Sequence, residues 1–301
     1  MKVIHVNICA SSGSTGKIVT DISTTLLKYG HESLICYGAD ETIFLPNYFR
    51  FCNEIERKIH VLIGRITGII YGCFGLHSTK VLIKRIKDFK PDVVHIHCIN
   101  GGIVDIYKLF EFLSKNHYKT ILTLHAEFMY TGTCGHSLEC MKFISGCYKC
   151  DKYKKEAKSL FDNTSISWKI MSNSYKNFDD NDLLITSVSP WLKSRAIQSS
   201  FLKRFQHDVV FNGLNDSIFR ICDVDSSIPQ KFESGKKLCI FVSPTFDVNI
   251  DSFKGGWFFV ELALRLPHVQ FAIISTYSKE PKSLPENVKF LGRAKNQEEL
   301  A

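Results

Sequence analysis

The residues best suited to chemistry lie between Thr120 and Cys150, TILTLHAEFMYTGTCGHSLECMKFISGCYKC. Within it the apolar run Ile121–Leu124 predicts a buried strand, and that strand ends on His125. Ligands of open α/β folds sit beyond the carboxyl ends of the strands, so a histidine one step past such a run stands where chemistry is done. An imidazole there can hold or move a proton near neutral pH, which makes His125 the first candidate catalytic residue. The plainer alternative is a strand-end histidine that only hydrogen-bonds a neighbouring loop.

The loop that follows carries Cys134, Cys140, Cys147 and Cys150, separated by five, six and two residues. Only the last pair has the C-x2-C spacing of a zinc knuckle. Four thiolates would form a closed tetrahedral site, structural and not catalytic, in which His136 could replace one sulfur. Free thiols packed on a sheet satisfy the same spacing equally well. A thioredoxin-like redox role fits less well, because Cys147-Tyr148-Lys149-Cys150 follows a glycine loop and opens no recognisable helix.

Three further stretches have the composition of binding loops. Cys9–Lys17, CASSGSTGK, sets Gly13, Gly16 and Lys17 at the mouth of a helix, where backbone N–H groups and the helix dipole can hold a phosphate. It lacks the full G-x-G-x-x-G and P-loop patterns, so a tight turn is the alternative. His97 and Asn100 belong to a polar loop with Gly101 and Gly102 at the end of another strand. Lys254-Gly255-Gly256 introduces a helix further on.

The elements that must position these residues follow from periodicity. Residues 2–8 predict a first strand, Ile18–Tyr29 a helix stopped by Gly30, and Glu32–Tyr37 a second strand, a βαβ unit with a parallel sheet as its default. Residues 53–90 read as helix in two pieces divided around Gly72–His77, with Pro91 closing the second. Asp92–His97 is a strand, Ile103–Lys115 a helix, Leu183–Val188 a strand, and Ser189-Pro190-Trp191 starts a helix to about Phe201. A short strand, Asp208–Phe211, precedes the Asn212-Gly213 turn. Residues 214–236 are rich in Asp, Ser, Pro and Gln and read as a linker between a domain of residues 1–213 and a second of 237–301. In the second, strands at 238–242, 271–274 and 288–291 accompany a helix at Trp257–Leu266, and a further helix starts at Asn296. The fold class is therefore α/β, with two Rossmann-like doubly wound parallel-sheet domains, the second incomplete, and a Cys-rich loop at 130–155 in the first.

Apolar residues at 45% and charged ones at 23% of 301 residues describe a globular protein and exclude disorder as the general state. The net charge of +8 is spread over short clusters such as Lys152-Tyr153-Lys154-Lys155, which does not indicate nucleic acid and suits phosphorylated small molecules or an anionic membrane. MKVIHVNI begins directly as a strand, so no signal peptide is expected and eleven cysteines read as free thiols in the cytoplasm. Val61–Gly75 is the most hydrophobic window, too short and too interrupted by Arg65 and glycines to span a membrane. It predicts a buried helix or a membrane-surface contact.

The order and spacing of several pieces resemble family 4 glycosyltransferases, retaining enzymes of the GT-B fold. The pieces are Gly13-Ser14-Thr15-Gly16-Lys17, Lys90-Pro91-Asp92-Val93-Val94-His95-Ile96-His97, Thr123-Leu124-His125, Val188-Ser189-Pro190-Trp191-Leu192, Val210-Phe211-Asn212-Gly213-Leu214 with Phe219, and Lys254-Gly255. The run from Leu124-His125 through Tyr130-Thr131-Gly132-Thr133-Cys134 to Cys150 is similar to a bacterial branch that makes exopolysaccharide and lipopolysaccharide. The resemblance implies that Gly13 and Gly16 lie against the donor diphosphate or the acceptor, that His125 lines the cleft near the transferred sugar, and that Lys254 contacts the donor diphosphate. Lys17, His97, Asn100, Asn212 and Gly255 join them as expected donor- or acceptor-binding positions. It implies a UDP- or GDP-sugar donor, a lipid-linked glycan acceptor and no cofactor for catalysis; the cysteine loop leaves a structural zinc open, and the basic clusters with the apolar Val61–Gly75 window suit a cytoplasmic protein peripheral on the inner membrane face. Retention is ascribed in this family to front-face attack, without a protein nucleophile.

The sequence departs from that pattern in three ways. Ala126 stands where an Asp often follows the histidine, no basic residue lies across Thr245–Asn249, and the family's E-x7-E element is expected beyond Ala301. A C-terminally truncated, non-catalytic remnant or split subunit that binds glycan or a partner is therefore the alternative function. A dinucleotide-dependent oxidoreductase fits less well, since a third glycine is missing from the first loop and Asp40 and Glu41 come late after the second strand.

Overall fold

In a computed structural model the protein is described at residues 1–39, 42–72, 77–216, 218, 232–233, 235–250, 252–279, 281, 283–294 and 299. The acids Asp40 and Glu41, the end of the apolar window at 73–75, Phe219, most of the 214–236 segment and the helix start at Asn296 lie outside the described residues. The chain divides into two compact units, Met1–Gly213 and Leu214–Ala301.

The first unit holds seven parallel strands: β1 (Lys2–Asn7), β2 (Glu32–Tyr37), β3 (Tyr48–Arg50), β4 (Val93–Ile96), β5 (Thr120–Leu124), β6 (Leu183–Ser187) and β7 (Gln206–Val209). Their order in the sheet is β3-β2-β1-β4-β5-β6-β7. The chain winds outward from β1 to β3, then crosses back to β4 and winds the other way. That reversal between β1 and β4 is the topological switch point of a doubly wound sheet, where open α/β folds bind their ligands. Strands covered on both faces must be apolar throughout, and Ile4, Val6, Leu34, Ile35, Val94, Ile96, Leu122 and Ile185 are all buried.

The crossovers are α1 (Gly13–Lys28), α2 (Glu54–Thr67), α3 (His77–Phe89), α4 (Ile106–Lys115), α5 (Tyr153–Glu156), α6 (Thr164–Ser174) and α7 (Pro190–Ala196). Their starts are chemically specified. The side chains of Asn53, Asp105 and Ser189 accept the capping N–H of Glu56, Lys108 and Leu192, and Pro190 occupies the first turn of α7. Gly68, at φ 73°, ends α2 in the left-handed conformation a C-cap needs, and a Cβ there would meet the Phe161 carbonyl oxygen at 2.7 Å. On the outer flank of the sheet Phe110 meets Tyr175 and Phe178 edge-on, with ring centroids 5.1 and 5.9 Å apart.

Several boundaries differ from expectation. α1 begins at Gly13, five residues before the predicted Ile18, so the Gly-Ser-Thr-Gly-Lys segment is the helix's first turn and the loop is short. β3 was not anticipated, α7 stops at Ala196 and not near Phe201, and β7 lies two residues earlier than predicted. The apolar window is not a buried helix: α2 ends at Thr67 and turns part of its apolar surface outward.

The second unit contains β8 (Leu238–Phe246), α8 (Gly256–Arg265), β9 (Gln270–Tyr277) and β10 (Val288–Gly292), with parallel order β10-β9-β8. β8 runs past the predicted Val242 through an irregularity between Val242 and Thr245. Phe246, Phe259, Phe271 and Ile273 form its core.

Candidate functional site

At the switch point two loops are tied together by one buried asparagine. Asn7 ends β1; its side-chain amide donates to the Cys9 carbonyl at 2.8 Å, and its oxygen accepts the Cys98 N–H at 3.0 Å. Ile8 N–H donates to the Cys98 carbonyl at 2.6 Å, so the loop after β1 and the loop after β4 rise as a pair. From the first springs α1. Its N-cap, Ser12, is extended and lends no side-chain cap to the opening turn, the arrangement in which N–H groups and the positive dipole end can meet an anion. Gly13 is exposed, with φ 66° and no atom within 4 Å of where a Cβ would stand. Gly16 serves packing: a Cβ would meet Ser11 backbone at 3.1–3.3 Å. Lys17 is half-buried on the same turn.

Beside this turn the sheet carries a polar stripe. Side chains two apart on a strand share a face, so β4 offers His95 and His97, and β5 offers Thr123 and His125. His5 of β1 lies opposite His95 in register, and Thr186 of β6 lies opposite Thr123. The stripe is joined side to side. His5 Nδ1 is 3.4 Å from His97 Nε2, and His97 Nδ1 is 3.5 Å from His125 Nε2. His95 Nε2 meets Thr123 Oγ1 at 2.7 Å, which meets Thr186 Oγ1 at 2.7 Å. The His95 and His97 rings lie 3.9 Å apart. His5 and His97 are fully buried, whereas His125 is half-buried at the end of the row.

Burial sets the protonation of this row. Removal from water penalises the imidazolium, lowering His5 and His125 to about 4. His95 and His97 are held well below the ordinary range, first by desolvation and then by their histidine neighbours. At neutral pH the four imidazoles are uncharged, so His125 offers a neutral ring able to accept or donate one hydrogen bond. His5, His95 and His97 present ring nitrogens within 4.8 Å of one another, but the His95 and His97 rings lie tilted side by side and His95 is engaged by Thr123, an arrangement of neighbours in a row more than of ligands around a point.

Asn100 is half-buried in the loop after His97. Asn212 is exposed in the coil beyond β7. In the second unit, Lys254 is exposed one residue before Gly255, the left-handed N-cap of α8 at φ 72°. Gly256 opens the helix where a Cβ would stand 2.3 Å from the Asp247 carbonyl oxygen. Lys254 and Gly255 thus form a second helix mouth with a cation attached. The first unit brings together Gly13, Gly16, Lys17, His97, Asn100 and His125 at the carboxyl edge of one sheet; Lys254 and Gly255 belong to the other unit.

The loop after His125 is built around a residue that sequence reasoning missed. Glu127 is buried, and its carboxylate accepts hydrogen bonds from Tyr130 Oη, Ser137 N–H, Ser137 Oγ and Arg195 Nε. Arg195, from α7, also donates to the Cys140 carbonyl at 3.1 Å and lies over the Phe143 ring. Phe128, Met129 and Tyr130 are buried, and Tyr175 and Tyr71 hydroxyls donate to the carbonyls of Met129 and Thr133. His125 therefore stands at the root of a rigidly packed loop.

The sequence matches no model of a known protein family and none of the curated proteins. Among solved structures it is similar to SsfS6, a glycosyltransferase of Streptomyces sp. SF2575, at 14% identity over 97% of this chain and 72% of that one, with a TM-score of 0.42. It is similar to the glycosyltransferase SnogD from Streptomyces nogalater at 10% identity, over 98% and 72% of the two chains, TM-score 0.44. It is also similar to UDP-GlcNAc 2-epimerase from Neisseria meningitidis bound to UDP-GlcNAc, at 13% identity over 99% and 73%, TM-score 0.40.

Proposed function

We propose that the protein is a retaining glycosyltransferase that moves a sugar from a nucleotide sugar to a lipid-linked saccharide in cell-surface polysaccharide synthesis. The observation that carries this reading is the juxtaposition at the switch point of a glycine-bearing helix start and a half-buried, neutral imidazole at His125. Departure of a nucleoside diphosphate develops negative charge, which helix N-termini and a lysine stabilise as preorganised dipoles and charge. Lys254 and Gly255 fill that role toward the donor, and the Gly13–Lys17 turn toward donor or acceptor phosphate. His125, uncharged, hydrogen-bonds the transferred sugar or the attacking hydroxyl without adding a positive charge beside an oxocarbenium-like centre. His97, bonded to it from behind, fixes its ring. Attack on the face the diphosphate leaves needs no protein nucleophile, and the leaving phosphate can take the acceptor proton.

A panel of UDP-, GDP- and ADP-sugars offered with lipid-linked saccharides from bacterial membranes tests the reading by nucleoside diphosphate release. One donor should turn over, and His125→Ala should lower the rate by roughly 10²-fold or more while the folded state persists. Release by no donor, with any acceptor, would favour a glycan-binding remnant or split subunit.

A further inference from the structure

Four cysteines of the loop after β5 surround one small cavity. Cys134, Cys140, Cys147 and Cys150 line it together with Thr131, Phe143 and neighbouring side chains. Its volume of about 20 Å³ is room for a single water or ion. Its walls are almost wholly apolar apart from sulfur, a poor home for water and a good one for a soft-ligand metal. Lys149, at φ 43°, turns the chain between Cys147 and Cys150 so that both members of the C-x2-C pair reach the same space.

The backbone is also arranged for thiolate. Gly132 N–H donates to Cys147 Sγ at 3.3 Å, the kind of outer bond that orients a metal-bound sulfur. This approach requires glycine, because a Cβ at 132 would stand 3.1 Å from Cys147 Cβ and 2.6 Å from the Thr164 carbonyl oxygen. Cys150 N–H is fixed separately by Asp162 at 2.7 Å. Among the described residues these sulfurs do not form a group within 4.8 Å of one another, so capture of a metal would draw them inward.

We propose that Cys134, Cys140, Cys147 and Cys150 bind one zinc ion as a closed structural site that clasps the loop rooted at His125. Each thiol surrenders its proton to solvent as its sulfur joins the metal, and no coordination position remains for substrate. The clasp adds to the Glu127–Arg195 pair, which holds the same loop from the α7 side. It is independent of the transferase reading.

The test uses the full chain, purified without chelator or metal-affinity resin, with zinc counted by mass spectrometry and its neighbours identified by X-ray absorption. The expected result is one zinc per chain with a shell of four sulfurs at about 2.3 Å. Cys140→Ser and Cys150→Ser should each retain much less zinc, while Cys239→Ser in the second unit keeps it. Should the variants fold poorly, chelation of the wild type gives a second readout, expected to speed amide exchange across residues 126–152. No stoichiometric zinc after incubation with zinc salt would overturn the proposal. A shell dominated by nitrogen would overturn it too, pointing instead to His5, His95 and His97.

Discussion

His125 earns its candidacy from its neighbours as much as from its strand end. The histidine row makes a pH signature that can be computed in sign. His5 is lowered from 6.5 to about 4 by burial, so between those values the unfolded chain binds a proton that the folded one refuses. Stability must fall as pH drops from about 6.5 and level off near 4, by about 3 kcal/mol for His5 alone. His95, His97 and His125, lowered by the same cause, steepen the slope. Urea unfolding at pH 7 and pH 5 checks this, and His5→Gln should flatten the difference by about one proton's worth. Equal stability at the two pH values would mean the row is wetter than its burial implies. His97 was legible in sequence as part of a polar strand end. That His5, His95 and His125 join it in one row was not, because the join depends on which strands are neighbours and in what register.

Among elements, the strands were the most legible, since a fully covered parallel strand is an unbroken apolar run. β2 matches its predicted limits. The start of α1 was hidden because Gly-Ser-Thr-Gly is a poor helix former by propensity, and what favours it is the close packing of Gly16 on Ser11. β8 was cut short in sequence because Ser243-Pro244 looks like a break, whereas an irregularity in register carries the strand through it. Glu127 and Arg195 were invisible, being 68 residues apart in the chain. Their pair gives a sharp prediction. Glu127→Ala would strand a buried guanidinium and two hydroxyls, and should destabilise the first unit by about 3–5 kcal/mol. Chemical denaturation measures it; a change below about 1 kcal/mol would mean that water replaces the carboxylate. Glu127→Gln, which keeps the shape and an acceptor oxygen, should fall between.

At the scale of the whole molecule, α2 carries the surface that bears on location. Ile55, Ile59, Leu62 and Ile66 are 74, 50, 57 and 47% exposed and fall on one helix face, beside exposed Lys58 and Arg65. Among the described residues no helix is long and apolar enough to cross a membrane, but such a face can lie on one. Vesicles containing phosphatidylglycerol should therefore retain the protein at low salt, and Ile59→Glu with Leu62→Glu should release it; equal partition of both forms would remove the membrane-surface proposal. In the second unit, the glycines before α8 and the lysine beside them were legible as a helix mouth.

Calorimetric titration with UDP-, GDP- and ADP-sugars tests the central claim, that the chain handles a nucleotide sugar, most directly. One of them should bind saturably, with affinity weakened by roughly tenfold in Lys254→Ala, the loss of one charge-assisted phosphate contact, and little changed in His125→Ala. Absence of saturable binding by every sugar nucleotide would contradict the claim and leave a protein that recognises a glycan or a partner without a donor.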